Sequence, residues 1–212
     1  VFTGQCNCAT ITTGVVVGGR CNTVSNYFNF IGAGRFNCVT ATGGSLVGGR
    51  INTTSGNYGF VGGGALNTSS SSYATISGGK SNTANGGYGG IIAGRGNIVS
   101  NSDSIVGGGQ NNCATNCYAS ILGGYGNIVS GLYSVVGGGS TNQALGTYSG
   151  IVSGFSNCIE GYNSSILGGS NNVIRCTSIG YSTIVGGLSN TISSRYTSCL
   201  LYTSDAADDT PC

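Results

Sequence analysis

Acid–base and nucleophilic catalysis need a proton-transfer group placed beside its partner, and this sequence offers few. It contains no His. Before residue 199 its carboxylates are Asp103 and Glu160, almost four repeats apart, about 18 Å at the usual strand spacing. That separation forbids a carboxylate dyad. Lys80 is the single lysine, and the many Ser and Thr residues have no base to activate them. Gly107-Gly108-Gly109 precedes no helical pattern, so it does not read as a phosphate loop. Zinc needs four convergent ligands, commonly including His. We expect no catalytic residue, no metal site, no cofactor and no enzymatic activity.

Two other residue types recur with regular spacing. Cys6, Cys8, Cys21, Cys38, Cys113, Cys117, Cys158 and Cys176 precede residue 199. Cys6 and Cys21 share a column on adjacent repeats, about 4.8 Å apart, within disulfide range. They read either as a disulfide candidate or as small hydrophobic thiols. Basic residues form a second column at Arg20, Arg35, Arg50, Lys80 and Arg95. That row either binds a polyanion (sulfated glycan, nucleic acid or lipopolysaccharide phosphate) or solubilises an edge. Aromatics do not interleave with it, so nucleic acid is not expected.

These columns exist because the chain repeats. Asn recurs every fifteen residues at Asn7, Asn22, Asn37, Asn52, Asn67, Asn82, Asn97, Asn112, Asn127, Asn142, Asn157 and Asn172, and once more at Asn190. We number positions from this Asn as zero. Position −3 is always Gly, from Gly4 to Gly187, and −6 is always aliphatic, from Val1 to Ile184. So strict a register predicts an all-β fold: a single-stranded parallel β-solenoid, or β-roll, of about thirteen 15-residue coils. The repeated Asn is expected to stack into a ladder, its amide donating to one neighbouring coil and accepting from the other.

Within a coil, two short alternating segments are predicted, from −8 to −4 and from 0 to +3. Positions −8, −6 and −4 read small–large–small on one inward face, with +2 facing the same interior. Sharp turns with positive φ are expected at −3 and +4. Position +6 is usually aromatic, as at Phe28, Tyr58, Tyr73, Tyr88, Tyr118, Tyr133, Tyr148 and Tyr196. It reads as a packing row or a recognition stripe. Residues 175–181 hold a three-residue insertion, read as a bulged loop.

The outward positions −7 and −5 trade places. Phe30, Phe60, Ile105 and Val135 at −7 accompany Gly at −5, whereas Val47, Ile92, Leu122, Val152 and Leu167 at −5 accompany Ser or Gly at −7. Keeping one large apolar group per coil on an outward face predicts burial against other chains, as in a homotrimer. Regular hydroxyls at +1 and +3, such as Thr23 with Ser25 and Thr53 with Ser55, leave an ice-binding or purely structural solenoid as the alternative.

The repeat Gly-x-x-Asn-x-Ala/Val-Ser-Gly-x-Tyr-Ser-x-Ile-x-Gly resembles the YadA-like head repeats of trimeric autotransporter adhesins. The two half-units are Ser164-Ser165-Ile166-Leu167-Gly168 and Asn157-Cys158-Ile159-Glu160-Gly161. The likeness covers about residues 1–198, and similar arrays resemble fibre proteins of viruses and phages. The resemblance implies a homotrimer of left-handed β-rolls on a cell or virion surface, binding a host glycan or matrix protein.

Val1 already occupies the aliphatic column, so the chain reads as a fragment open at both ends. Residues 199–212 share nothing with the period. They resemble a translated transposase-type sequencing adapter, as in metagenomic reads, and are expected to lie outside the fold. Without them, seven basic residues face two acids, a net charge of +5 rather than +2. No run of eighteen apolar residues is present, so no transmembrane helix is predicted.

Overall fold

The structure is a computed structural model and describes residues 4–10, 13–175 and 180–200. No helix occurs among the described residues, and every strand is two residues long. The chain winds as a parallel β-solenoid in which residues fifteen apart pair in register, for example Thr23 with Cys38 and Val24 with Val39. It divides into two compact units, Val1–Gly109 and Gln110–Cys212. Each unit has one sheet of strands at +1/+2, such as Thr53–Thr54 or Cys158–Ile159, and a second at −7/−6, such as Phe60–Val61 or Ser165–Ile166. Across the insertion the register steps by eighteen and is kept: Val173 pairs with Thr191 and Ser165 with Thr183.

The strands are shorter than the predicted segments because each coil has a third side. Position −2 forms its own parallel bridges, running Gln5–Arg20–Arg35–Arg50–Ala65–Lys80–Arg95 in the first unit. In the second unit the row is Gln110–Tyr125–Ser140–Phe155–Ser170–Leu188. Fifteen residues shared among three sides leave room for only one or two paired residues on each.

The turns explain the corners. Positive φ falls at −3, −1 and +6, not at −3 and +4 as predicted from glycine content: Gly34 is at +105°, Phe36 at +58° and Tyr58 at +55°. On the three sides, N–H groups donate forward to the next coil: Thr23 to Asn37 O (2.9 Å), Phe30 to Gly44 O (3.0 Å), Arg35 to Gly49 O (2.9 Å). At −1 and +6 the direction reverses. Ile51 N–H donates back to Arg35 O (3.0 Å), and Tyr58 N–H back to Thr42 O (2.9 Å). Left-handed backbone costs an L-residue roughly 1–2 kcal/mol. The backward bond, which a right-handed residue could not aim, offsets much of that. At +4 glycine answers crowding instead: a Cβ on Gly56 would sit 1.9 Å from Ser71 O in the next coil.

The interior is lined by positions 0, +2, −6 and −8. Ile31, Leu46, Ile76, Ile121 and Ile166 of the −6 column are fully buried, as are Val39, Val99 and Val129 at +2. Position −4 faces outward, contrary to the expectation that it points into the core. Ala33 and Ala93 there are exposed, and a Cβ built on Gly78 or Gly123 would meet nothing within 4 Å. Alternation fails beside the glycine at −3, whose φ of +83° to +116° turns the backbone there.

The fold also reaches into the segment expected to lie outside it. Ser198–Cys199 is the last described strand, and Cys199 is buried in the −6 column, pairing with Ile184. Leu200 is exposed; 201–212 lie outside the described residues.

Candidate functional site

The buried asparagine ladder ties successive coils together at one corner. Asn22, Asn37, Asn52, Asn67, Asn82 and Asn97 are buried in the first unit, and Asn112, Asn127, Asn142, Asn157 and Asn172 in the second. The ladder is real: as expected, Asn172 Nδ2 donates to Asn157 Oδ1 (3.1 Å) and Asn172 Oδ1 accepts from Asn190 Nδ2 (3.1 Å), and the amides also bond the backbone. Asn67 Oδ1 accepts the backbone N–H of Asn82 (3.0 Å), while its Nδ2 donates to Gly79 O (2.9 Å). Both groups reach the following coil. Nδ2 also donates to Gly63 O within its own coil (2.9 Å). The side chain therefore clamps backbone to backbone. An Asp lacks the donors and a Ser lacks the reach, which accounts for Asn at every coil.

A second internal polar row lies at −8, where sequence reading foresaw only small size. In the second unit Ser134 Oγ donates to Gly146 O (2.7 Å) and accepts the N–H of Ser149 (2.9 Å). In the first unit Asn29 Oδ1 accepts the N–H of Gly44 (2.9 Å). Asn29 Nδ2 and Thr54 Oγ1 are buried without a hydrogen-bond partner.

On this scaffold the surfaces are rows. Arg20, Arg35, Arg50, Lys80 and Arg95 all lie exposed on the −2 side of the first unit, brought into one line by the bridges. The Arg35 guanidinium sits 4.9 Å from the centre of the Phe36 ring. At Ala65 the line is interrupted by a cavity of about 180 Å³ lined by Arg50, Ile51, Ala65, Leu66 and Lys80.

The −7/−5 side carries the alternating apolar residues. Val47, Ile92, Leu122 and Val152 are each more than half exposed. In the second unit Leu122, Val135, Val152 and Leu167 surround a hollow of about 300 Å³ floored by Gly137 and Gly150. At Thr75 and Ser77 the apolar row lapses.

Tyrosines at +6 stack. Tyr58, Tyr73 and Tyr88 lie 5.2 and 4.8 Å apart in the first unit, and Tyr118, Tyr133 and Tyr148 lie 4.6 and 5.2 Å apart in the second. Tyr181 joins Tyr196 in this column (5.9 Å). Counting from the preceding Asn172 hid it, because the insertion displaces the count; of that loop, residues 176–179 lie outside the described ones.

Cys6 and Cys21 are free thiols, not a disulfide. In-register stacking holds two side chains parallel, with Cβ atoms about 4.8 Å apart, whereas a disulfide brings them to about 3.8 Å. Burial pushes the thiols of Cys38 and Cys113 above their ordinary pKa. Burial does the same to Cys158, Glu160 adds to it, and Arg175 opposes it. Asp103 belongs to the first unit and Glu160 to the second. No group of three His, Cys, Asp or Glu able to hold a metal occurs among the described residues. No described helix is long and apolar enough to cross a membrane. Comparison of the chain with protein-family models and with curated proteins finds no match in either.

Proposed function

We propose that this chain is a non-enzymatic segment of an extracellular fibre, exposed on a cell or virion surface, that self-associates as a homotrimer and attaches to a host glycan or matrix protein. The observation that carries the reading is the −7/−5 side. Large apolar groups there alternate with glycine, so knobs such as Leu122 and Val152 lie beside the hollow floored by Gly137 and Gly150. A second copy presenting the same pattern fills that hollow with its own knobs. Burying one aliphatic side chain per coil contributes about 1.5–3 kcal/mol each.

Sedimentation equilibrium of the full chain tests it. We expect a mass three times the 21.0 kDa of one chain. Leu122→Glu with Val152→Glu should return it to a monomer, since a buried carboxylate without a partner is unfavourable. A wild-type chain that stays monomeric at high concentration sinks the fibre reading. Ice binding is the second reading, favoured by Thr53, Thr68 and Thr83 standing in register on one sheet. Thermal hysteresis without self-association would select it.

A further inference from the structure

We propose that the −2 row of the first unit is a groove for a linear sulfated polysaccharide, centred on the notch at Ala65. The proposal rests on the attachment reading, to which it adds the ligand's chemistry, and it does not require self-assembly.

Arg20, Arg35 and Arg50 occupy consecutive rungs, Lys80 and Arg95 two more, and Ala65 stands between the groups. Neighbouring rungs of a parallel ladder are about 4.8 Å apart. Like charges stacked directly opposite each other are unfavourable. None of these five cations has a carboxylate partner among the described residues, and the described first unit carries one acid, Asp103. The second unit bears no charge at the same position, where Gln110, Tyr125, Ser140, Phe155, Ser170 and Leu188 stand. The cations are therefore concentrated on one side of one unit, where a polyanion relieves their repulsion.

The notch decides which polyanion. Its floor is Ala65, flanked by Ile51 and Leu66, which are 38% and 46% exposed. Positive φ at both (56° and 60°) turns these side chains alongside the cation row. Arg50 and Lys80 close its two ends, two rungs or about 9.6 Å apart. An apolar floor with a cation at either end matches a pyranose ring, whose C–H face is apolar and whose sulfate or carboxylate groups project from its edges. Single-stranded nucleic acid combines phosphate contacts with successive bases stacked on aromatic faces. Phe36 is the one aromatic in the flanking row of the first unit, and the Arg35 guanidinium sits over one face of its ring.

The test titrates the full chain with a size-defined, heparin-type sulfated oligosaccharide, its desulfated counterpart, and an oligo-dT of matched charge. At about 0.15 M salt, the sulfated sugar should bind about tenfold tighter than either comparator. Five contacts at about 0.7 each predict a log K against log salt slope near −3.5. Arg50→Gln with Lys80→Gln should lower that slope to about −2. Ala65→Leu leaves the charge unchanged and fills the notch; binding should fall about tenfold. The −2 side already carries arginines, so leucine fits the fold, and an unchanged thermal melt verifies this. Arg175→Gln, in the second unit, should change nothing. Equal affinity for oligo-dT, an Ala65→Leu variant that binds like wild type, or no binding at all overturns the proposal. Trimers that bind no sulfated sugar overturn only this inference; a monomer that binds it overturns only the fibre.

Discussion

At the scale of single residues, Asn67 makes the case for the ladder most plainly. Its amide satisfies the N–H of Asn82 and the carbonyls of Gly63 and Gly79, all in a fully buried position. Asn67→Ala strands the Asn82 N–H and the Gly63 carbonyl, while Gly79 O keeps the Ala65 N–H (3.0 Å), and each unpaired buried polar group costs about 1–3 kcal/mol. We expect a loss of at least ~2 kcal/mol in chemical denaturation. Two adjacent glycines separate conformational need from mere composition. Gly79 has φ +102°, and a Cβ there would lie 2.3 Å from Gly94 O, whereas a Cβ on Gly78 meets nothing. Gly79→Ala should therefore abolish the cooperative melt, while Gly78→Ala leaves it within about 1 kcal/mol of wild type. Thr54 shows the opposite sign. Its hydroxyl is buried without a partner in the column that holds Val39. Thr54→Val removes the unsatisfied group at constant shape and should raise stability by about 1 kcal/mol. Register marks the ladder, the invariant Gly79 at −3 and the inward Thr54 at +2; the open space at Gly78 and the unpartnered Thr54 hydroxyl become visible only in the structure.

At the scale of elements, the unit of structure is the side of a coil rather than a strand. The tyrosine column belongs to a corner: Tyr73 stacks on Tyr58 and Tyr88 while holding φ at +59°. Stacking contributes about 0.5–1.5 kcal/mol per pair, against left-handed strain of roughly 1–2 kcal/mol. Tyr73→Ala loses the stacking and keeps the strain. Tyr73→Gly loses both. The glycine variant should therefore melt higher than the alanine variant, by about 1 kcal/mol in denaturant. If alanine proves the more stable, strain at this corner is not what the stacked rings offset. The aromatic row was legible in the sequence as a column. Its left-handed backbone was not, because φ there is set by where the preceding coil places its carbonyl.

At the scale of the whole chain, within each unit a coil pairs with its neighbouring coils, so stability adds by neighbours. Deleting residues 68–82 joins Asn67 to Thr83, the residue that pairs with Thr68 in the native register. We expect that chain to keep its circular dichroism and to melt within a few degrees of wild type. Deleting one residue fewer, 68–81, shifts every following side chain by one place and turns the inward column outward. That variant should lose cooperative unfolding. Equal behaviour of the two deletions would mean that register is not what holds the coils together.

The period itself was enough to establish a parallel solenoid, its coil length, its Asn ladder and its columns of charge, aliphatics and tyrosine. An unbroken fifteen-residue register sends the same residue type to the same place in every coil, and local pattern is sufficient for that. The stacked structure alone decided the three-sided coil, the outward turn at −4, the backward-donating corners at −1 and +6, Cys199 in the −6 column and the notch at Ala65. Each of these depends on what the adjacent coil presents at a given height: a carbonyl to receive an N–H, a backbone too close for a Cβ, or a missing side chain between two arginine-like neighbours. Such relations arise only once one coil rests on another.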